Sequence, residues 1–110
     1  MANIFKNFLS PSVGTSAATV YTVPSVTTTV TVGLTIANRT ASQILIDAYI
    51  TSSEDGSATD AYIVKSAPVP SGSSLSVLDG KMVLQATDVV KVLSNTASSA
   101  DAILSIMEIT

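Results

Sequence analysis

The side chains that most often carry enzyme chemistry are missing from this 110-residue chain, which contains no histidine and no cysteine. The commonest general base, the commonest nucleophile pairs and the usual transition-metal ligands are therefore absent. A Ser–Lys dyad is conceivable, but the 17 serines are scattered and no pattern selects one of them. Paired carboxylates for glycoside hydrolysis would need a deep cleft, which so small a chain does not readily enclose. We expect a protein that is not an enzyme and that uses no cofactor.

Acidic and aromatic side chains offer two kinds of binding site. Glu54, Asp55 and Asp60 share one polar loop, and oxygen ligands of this kind suit Ca²⁺. Their spacing matches no calcium-loop motif, so a solvated loop is the favoured interpretation and no metal site is expected. Sugar binding would use exposed aromatic platforms, whereas Tyr49 and Tyr62 lie within predicted strands.

The charge pattern argues against nucleic acid and membranes as partners. Charged residues make up 12% of the chain, about half the share of an average soluble domain, which is roughly 25%. The five cations are spread along the chain, whereas phosphate recognition needs them clustered. No apolar run approaches the roughly 18–20 residues that cross a bilayer, and the N-terminus has no proper signal-peptide core. We expect synthesis and folding in a cytoplasm, without direct binding to nucleic acid or membrane.

From residue 19 onward the chain alternates short β-strands with turns. Proline, glycine and serine clusters separate apolar segments with a period of two, and no segment keeps a helical period. The adjacent Asp79 and Gly80 predict a hairpin turn. About eight strands at this spacing predict an all-β fold, an antiparallel β-sandwich of the jelly-roll kind. The predicted strands are 19–22, 27–37, 44–51, 60–66, 74–78, 81–85, 89–94 and 102–109.

The strand at 27–37 and the strand at 102–109 both bear on assembly. In "SVTTTVTVGLTIANRT" (25–40), alternation predicts two faces and places no charge before Arg39. One face is mainly aliphatic and the other mainly threonine: they are Val26, Thr28, Val30, Val32, Leu34 and Ile36, and Thr27, Thr29, Thr31, Gly33, Thr35 and Ala37. The last strand has apolar residues on both faces. Thr has high strand propensity, so a solvated face is one interpretation. Because the chain also carries few charges and its last strand is apolar on both faces, the favoured interpretation is that this surface is covered in an assembly.

The first 18 residues form a segment distinct from the predicted β-sandwich domain at 19–110. They hold both phenylalanines of the chain, and the residues Ile4, Phe5, Phe8 and Leu9 could line one side of one or two helical turns. Two interpretations stay open. The segment folds back on its own domain, or it is an arm that docks its aromatic residues on a neighbouring subunit or shell. These four residues are the candidate subunit or capsid contacts.

Two blocks of the sequence resemble small structural proteins of tailed bacteriophages, with those of cyanobacterial and other marine phages the most similar. They are "VYTVPSVTTTVTVGLTIANRTASQILIDAYIT" (20–51) and "DAYIVKSAPVPSGSSLSVLDGKMVLQATDVVKVLSNTASSADAILSIMEIT" (60–110). The runs "YIVKSAPVPSGSSL", "GKMVLQATDVVKV" and the final "EIT" carry most of the likeness. It covers residues 19–110, includes no catalytic signature and transfers no functional residue.

The resemblance implies a virion component made in the host bacterial cytoplasm. Its favoured form is a capsid decoration (cement) protein that binds the major capsid protein as a homo-oligomer, a trimer, and stabilises the head shell. The segment with Phe5 and Phe8 would then be the anchor. The alternative is a neck, tail or fibre component, with host-surface or carbohydrate binding as a further possibility.

Overall fold

The computed structural model describes residues 3–52, 58–78 and 80–110, and within these ranges the chain forms nine β-strands and no helix. None of the described residues therefore belongs to a helix that could span a membrane. The strands are β1 (Asn3–Val13), β2 (Ala18–Thr22), β3 (Thr28–Asn38), β4 (Ile44–Ser52), β5 (Thr59–Val69), β6 (Ser74–Ser76), β7 (Met82–Leu84), β8 (Val89–Ser94) and β9 (Ala100–Ile109).

The strands form two antiparallel sheets. Sheet A has the order β1-β9-β3-β6, with β7 also paired to β3, and sheet B has the order β2-β8-β4-β5. The pairs β1–β9, β2–β8, β3–β6/β7 and β4–β5 nest inside one another along the chain. This confirms the predicted all-β antiparallel sandwich, and the nesting is compatible with a jelly roll.

The sandwich is held by aliphatic side chains that point inward from both sheets. Alternate residues of β4 and β9 face the core as their sequences predict, since side chains on a strand alternate between its faces. Burying each such side chain contributes roughly 1.5–3 kcal/mol relative to an exposed position. The largest fully buried aliphatic residues are Leu34, Ile36, Ile44, Ile46, Leu84, Leu104 and Ile106.

The predicted hairpin at Asp79-Gly80 is wrong. Strands β6 and β7 both run antiparallel to β3 and pair with successive parts of it, at 35–37 and 29–31. They therefore run in the same direction as each other, as one interrupted strand. Gly80 has the positive φ of 108° that such a turn residue supplies, while Asp79 lies outside the described residues. The 11-residue β3 is long enough to accept both short strands in series, so the chain need not reverse between them.

A β-bulge in β3 reverses the predicted faces of its first half. The register with β9 shifts between Thr31 and Gly33, and such a one-residue shift moves every following side chain to the other face. Thr29 and Thr31 consequently lie in the core, whereas Val32 is 49% exposed. The threonine face of this half is the buried one, and the valine face is the outer one.

Residues 3–13 form a strand and not the one or two helical turns that their spacing allows. β1 pairs with β9 from Asn3↔Ile109 to Ser10↔Ala102 in continuous register, and Val13 lies in the core with 2% exposure. The unpaired edge of β9 offers this segment a full row of backbone hydrogen bonds. The division into a segment at 1–18 and a domain at 19–110 stays a prediction.

Candidate interaction surface on sheet A

The outer face of sheet A carries apolar side chains in a row across four strands. Cross-strand register places Phe5 of β1 beside Met107 of β9, Met107 beside Val30 of β3, and Val30 beside Val83 of β7. Side chains directly opposite on one face lie within contact range. The row therefore forms a continuous apolar band from one edge of the sheet to the other.

Five residues make up the most exposed part of this face, which we call the apolar patch. Their exposed fractions amount to about three complete side chains, an apolar area on the order of a few hundred Å². The largest apolar patch on a monomer is of this order and is often functional. The patch consists of Phe5 (74% exposed), Leu9 (66%), Val83 (62%), Val32 (49%) and Ile103 (42%).

The two outer faces of the sandwich differ in charge. On sheet A the charged residues lie at the borders of the patch: Asp101 pairs with Arg39 at 3.4 Å at one end of the sheet, Lys6 lies on the β1 edge, and the exposed Lys81 precedes β7. On sheet B, Asp47 and Lys65 form an ion pair at 3.2 Å in the middle of the outer face, and Lys91 lies beside Tyr49. Sheet A therefore presents the face that is more readily desolvated.

An open depression of about 410 Å³ lies between β1 and the β3 bulge. Its lining residues include Phe5 and Asn7 from β1, Val32 from the bulge and Ser105 from β9. The bulge creates the concavity because the extra residue interrupts the flat pairing of β3 with β9. The depression is a recess in the patch that a partner's side chain could enter.

A buried polar network fixes β1 behind the patch. The Glu108 carboxylate accepts a hydrogen bond from the Tyr21 hydroxyl at 2.6 Å and lies 3.0 Å from the Lys6 ammonium. Tyr21 also shares a hydrogen bond with the Thr29 hydroxyl at 2.8 Å. The network links β1, β2, β3 and β9, so it joins the two sheets as well as the two ends of the chain.

Burial and hydrogen bonding shift the pKa values within this network. Burial, reinforced by the hydrogen bond to Glu108, raises the pKa of Tyr21 to about 12. The hydrogen bonds from Tyr21 and then Lys6 lower the pKa of Glu108 below its ordinary value, against the opposing effect of burial. At neutral pH the network thus contains a neutral phenol, a carboxylate and an ammonium, in which each charge has an opposite partner.

Strand geometry divides the four predicted contact residues between two faces. Phe5 and Leu9 point outward and belong to the apolar patch. Phe8 points inward, half-buried, with its ring centroid 4.6 Å from that of Tyr21, and Ile4 lies opposite Glu108 with 44% exposure. The structure therefore does not bring the four together, and their role as contacts stays a prediction.

The other patch members, Val32, Val83 and Ile103, were not among the predicted contacts. Ile103 had a usable signal, because β9 carries apolar residues on both faces. The side chain of Val32 lies on the outer face because of the bulge in β3, and that of Val83 lies there because β7 pairs with β3. Neither feature has a signature within its own strand.

The acidic loop adds no described metal site. Glu54 and Asp55 lie outside the described residues, and the Asp60 carboxylate accepts a hydrogen bond from the Thr51 hydroxyl at 2.6 Å. Among the described residues, no three Asp or Glu side chains lie together in a way that could hold a metal ion.

The three tyrosines do not form an open platform for a sugar. Tyr21 is buried, and Tyr49 is 8% exposed. Tyr62 is 48% exposed, but its ring packs on Tyr49 with centroids 4.9 Å apart and the Lys65 ammonium lies 4.8 Å from its centroid. Hydrogen bonding to Asp47 raises the pKa of Lys65, which holds this ammonium charged over the ring.

Comparison with known proteins identifies structural neighbours without sequence relatives. No protein-family model and no curated protein sequence matches the chain. A structure of Bacillus endospore appendages, described as disulfide-linked pili, superposes with a TM-score of 0.53 at 16% identity, covering 98% of this chain and 88% of that one.

Capsid proteins of infectious bursal disease virus are also structurally similar. A structure of the viral particle matches with a TM-score of 0.57 at 10% identity, covering 96% of this chain and 30% of that one. Particles of a variant VP2 protein from the same virus match with a TM-score of 0.56 at 12% identity, covering 96% and 31%. The chain thus spans about a third of the viral proteins. At these identities the likeness establishes a shared sandwich fold.

Proposed function

We propose that this chain is a structural subunit of a virus particle, specifically a bacteriophage capsid decoration protein that binds the shell of major capsid protein. The observation that carries the proposal is the apolar patch on the outer face of sheet A, where charged residues lie at the borders of the patch, whereas the Asp47–Lys65 ion pair lies in the middle of the outer face of sheet B. Its structural neighbours, pili and viral capsid proteins, use this sandwich in particles and fibres. The bacteriophage assignment comes from the resemblance of residues 20–51 and 60–110.

The size of the patch favours many weak contacts over one strong contact. Burying about three complete apolar side chains at roughly 1.5–3 kcal/mol each contributes roughly 5–9 kcal/mol. Association costs of roughly 4–15 kcal/mol offset most of this gain. A single copy would bind weakly, and an oligomer that engages several shell subunits at once would gain avidity. Reinforcement of a shell by a homo-oligomer agrees with this balance.

A neck, tail or fibre subunit is the second candidate. The pilus match favours it, because that match covers 88% of the other chain, against about 30% for the viral proteins. The pili are described as disulfide-linked, and this chain has no cysteine. A fibre of this chain would therefore be held by non-covalent contacts alone.

The first experiment is to measure the number of copies of this chain per major shell protein in purified particles, by quantitative mass spectrometry. A ratio near one is expected for a decoration protein. A handful of copies per particle would favour the neck, tail or fibre assignment. Absence from the particle would overturn the proposal of a virion protein.

The second experiment tests the patch directly, by co-sedimentation of the purified protein with shells that lack it. Val83→Lys and Ile103→Lys place a charge on the outer face of sheet A and should weaken binding at least tenfold. Tyr62→Lys makes a matched change at an exposed residue of sheet B and should leave binding unchanged. Equal binding by all three variants would show that the shell contact lies elsewhere. Single substitutions are preferable to deleting residues 1–18, because deletion also removes Lys6 from Glu108.

A further inference from the structure

Three of the four sheet edges are protected against pairing with another chain. Natural proteins protect exposed edges with short strands, charges, prolines or bulges, because unpaired backbone groups attract further strands. β2 has five residues, and the opposite edge of sheet A is interrupted between the three-residue strands β6 and β7. β5 is long, but it contains Lys65, Pro68 and a bulge in which Ser66 has a φ of 53°.

The fourth edge, β1, lacks this protection over most of its length. From Asn3 to Ser10 it runs in continuous register with β9, without proline or bulge. Its single charge, Lys6, has a side chain that is 45% exposed, but its ammonium lies 3.0 Å from the buried Glu108 carboxylate and is therefore already paired. Pro11 and the bulge with Ser12, whose φ is 56°, are confined to the far end of the strand. Among the described strands, β9 alone pairs with β1.

The outward side chains of β1 are complementary to those of a second, antiparallel β1. A twofold axis at Asn7 places Phe5 opposite Leu9 of the partner subunit, and Leu9 opposite the partner's Phe5. These are the two most exposed residues of the apolar patch, at 74% and 66%. On the inner side, Lys6 faces Phe8 of the partner subunit, so the two ammonium groups are not directly opposite. Every cross-strand pair in this register is thus free of like charges.

We infer that β1 is a self-association edge, at which two copies of this chain pair antiparallel about a twofold axis at Asn7. The contact is isologous and closes at a dimer. It joins two copies of sheet A into one continuous sheet and makes their apolar patches contiguous. This inference goes beyond the proposed function, because it requires neither a shell nor any other partner.

A cysteine at the twofold axis tests the register. The chain has no cysteine of its own, so Asn7→Cys introduces a single thiol. Residues directly opposite in an antiparallel pair have Cα atoms about 4.5–5.5 Å apart, within the roughly 4.4–6.8 Å that a disulfide spans. Under mild oxidation Asn7→Cys should form a covalent dimer, whereas the control Ser74→Cys, on the exposed β6 edge, should stay monomeric. Equal crosslinking of both variants, or none at position 7, would overturn the inference.

Analytical ultracentrifugation tests the dimer without crosslinking. The full chain should sediment as a monomer–dimer equilibrium, and Phe5→Lys should raise the dimer Kd at least tenfold. Val83→Lys, on the same face but at the opposite edge, should leave the dimer Kd unchanged while it weakens shell binding. A wild-type monomer at all concentrations, a trimer, or equal loss of the dimer in both variants would overturn the inference. Because Val83→Lys separates the two readouts, failure of the dimer and failure of the shell proposal are distinguishable.

Discussion

The buried hydroxyl of Tyr21 makes the stability of this sandwich sensitive to alkaline pH. It donates to the Glu108 carboxylate at 2.6 Å and shares a hydrogen bond with Thr29. A phenolate formed there would be buried and would face a carboxylate. The pKa of Tyr21 is accordingly raised to about 12, first by burial and then by the hydrogen bond to Glu108.

The size and sign of the effect follow from the two pKa values. In the unfolded chain Tyr21 ionises near pH 10, and in the folded protein near pH 12. Between these values the unfolded state releases a proton that the folded state retains, so the free energy of unfolding falls as the pH rises. The loss amounts to roughly 1 kcal/mol at pH 11 and approaches roughly 3 kcal/mol above pH 12.

This loss of stability can be measured by urea unfolding of the wild type and of Tyr21→Phe at pH 9 and pH 11, followed by circular dichroism. At pH 9 the variant should be less stable by about 1–3 kcal/mol, because Glu108 loses a hydrogen-bond donor. Between pH 9 and pH 11 the wild type should lose roughly 1 kcal/mol more than the variant. Other groups, such as Tyr49 and Lys65, whose pKa values are also raised, titrate in both proteins and cancel.

A core substitution that leaves Tyr21 and its partners in place supplies the control. Ile46→Val, at a position with 0% exposure, lowers the free energy of unfolding by about 0.5–1.5 kcal/mol and should reproduce the wild-type loss between the two pH values. If Tyr21→Phe lost as much stability as the wild type over this interval, the phenol would not be held neutral by its surroundings. The hydrogen bond from Tyr21 to Glu108 would then have no influence on the alkaline stability of the protein.

Three further predictions concern other parts of the chain. Because the pKa of Glu108 is lowered in the folded protein, its carboxylate stabilises the fold above the unfolded value of about 4.3, and this stabilisation is lost as the pH falls through the folded value. Glu108→Gln should therefore flatten the decline in Tm between about pH 6 and pH 3. A decline as steep as in the wild type would contradict this. Val26 is β-branched, 92% exposed and has a φ of 52°. Because left-handed backbone costs such a residue roughly 1–2 kcal/mol, Val26→Asn should raise the free energy of unfolding by about 1 kcal/mol in urea titrations; an unchanged value would show no strain there. Finally, EDTA should leave the Tm unchanged, whereas a fall would indicate a cation near Asp60.

The sequence predicted those parts of the fold that depend on local alternation. In β4 and β9 the residues on one face, such as Ile46 and Leu104, are apolar and lie in the core. A period of two in β-branched and aliphatic residues is sufficient to define a strand and its buried face. The all-β sandwich therefore follows from properties that each segment carries by itself.

The buried threonines of β3 could not be predicted in this way. Thr29 is satisfied by the Tyr21 hydroxyl, and Thr31 exchanges hydrogen bonds with the backbone of Met82. A buried hydroxyl is acceptable only when it has such partners, and these partners belong to other strands. Without knowledge of these partners, the valine face is the natural choice for the core. The contribution of that face to the exposed apolar patch therefore cannot be predicted from β3 alone.

The position of β1 shows how one buried charge can set a register. Apolar residues at alternate positions would let β1 slide along β9 by two residues without changing faces, and a slide by one would turn Lys6 outward. In the observed register Lys6 lies opposite Ile106 and diagonal to Glu108, within reach of its carboxylate. A slide that placed Lys6 opposite Leu104 would leave a buried carboxylate without its ammonium, which is strongly unfavourable. A slide in the other direction would withdraw Phe8 from the Tyr21 ring. Lys6 and Phe8 therefore fix the register that leaves Phe5 and Leu9 on the outer surface, where the proposed self-association requires them.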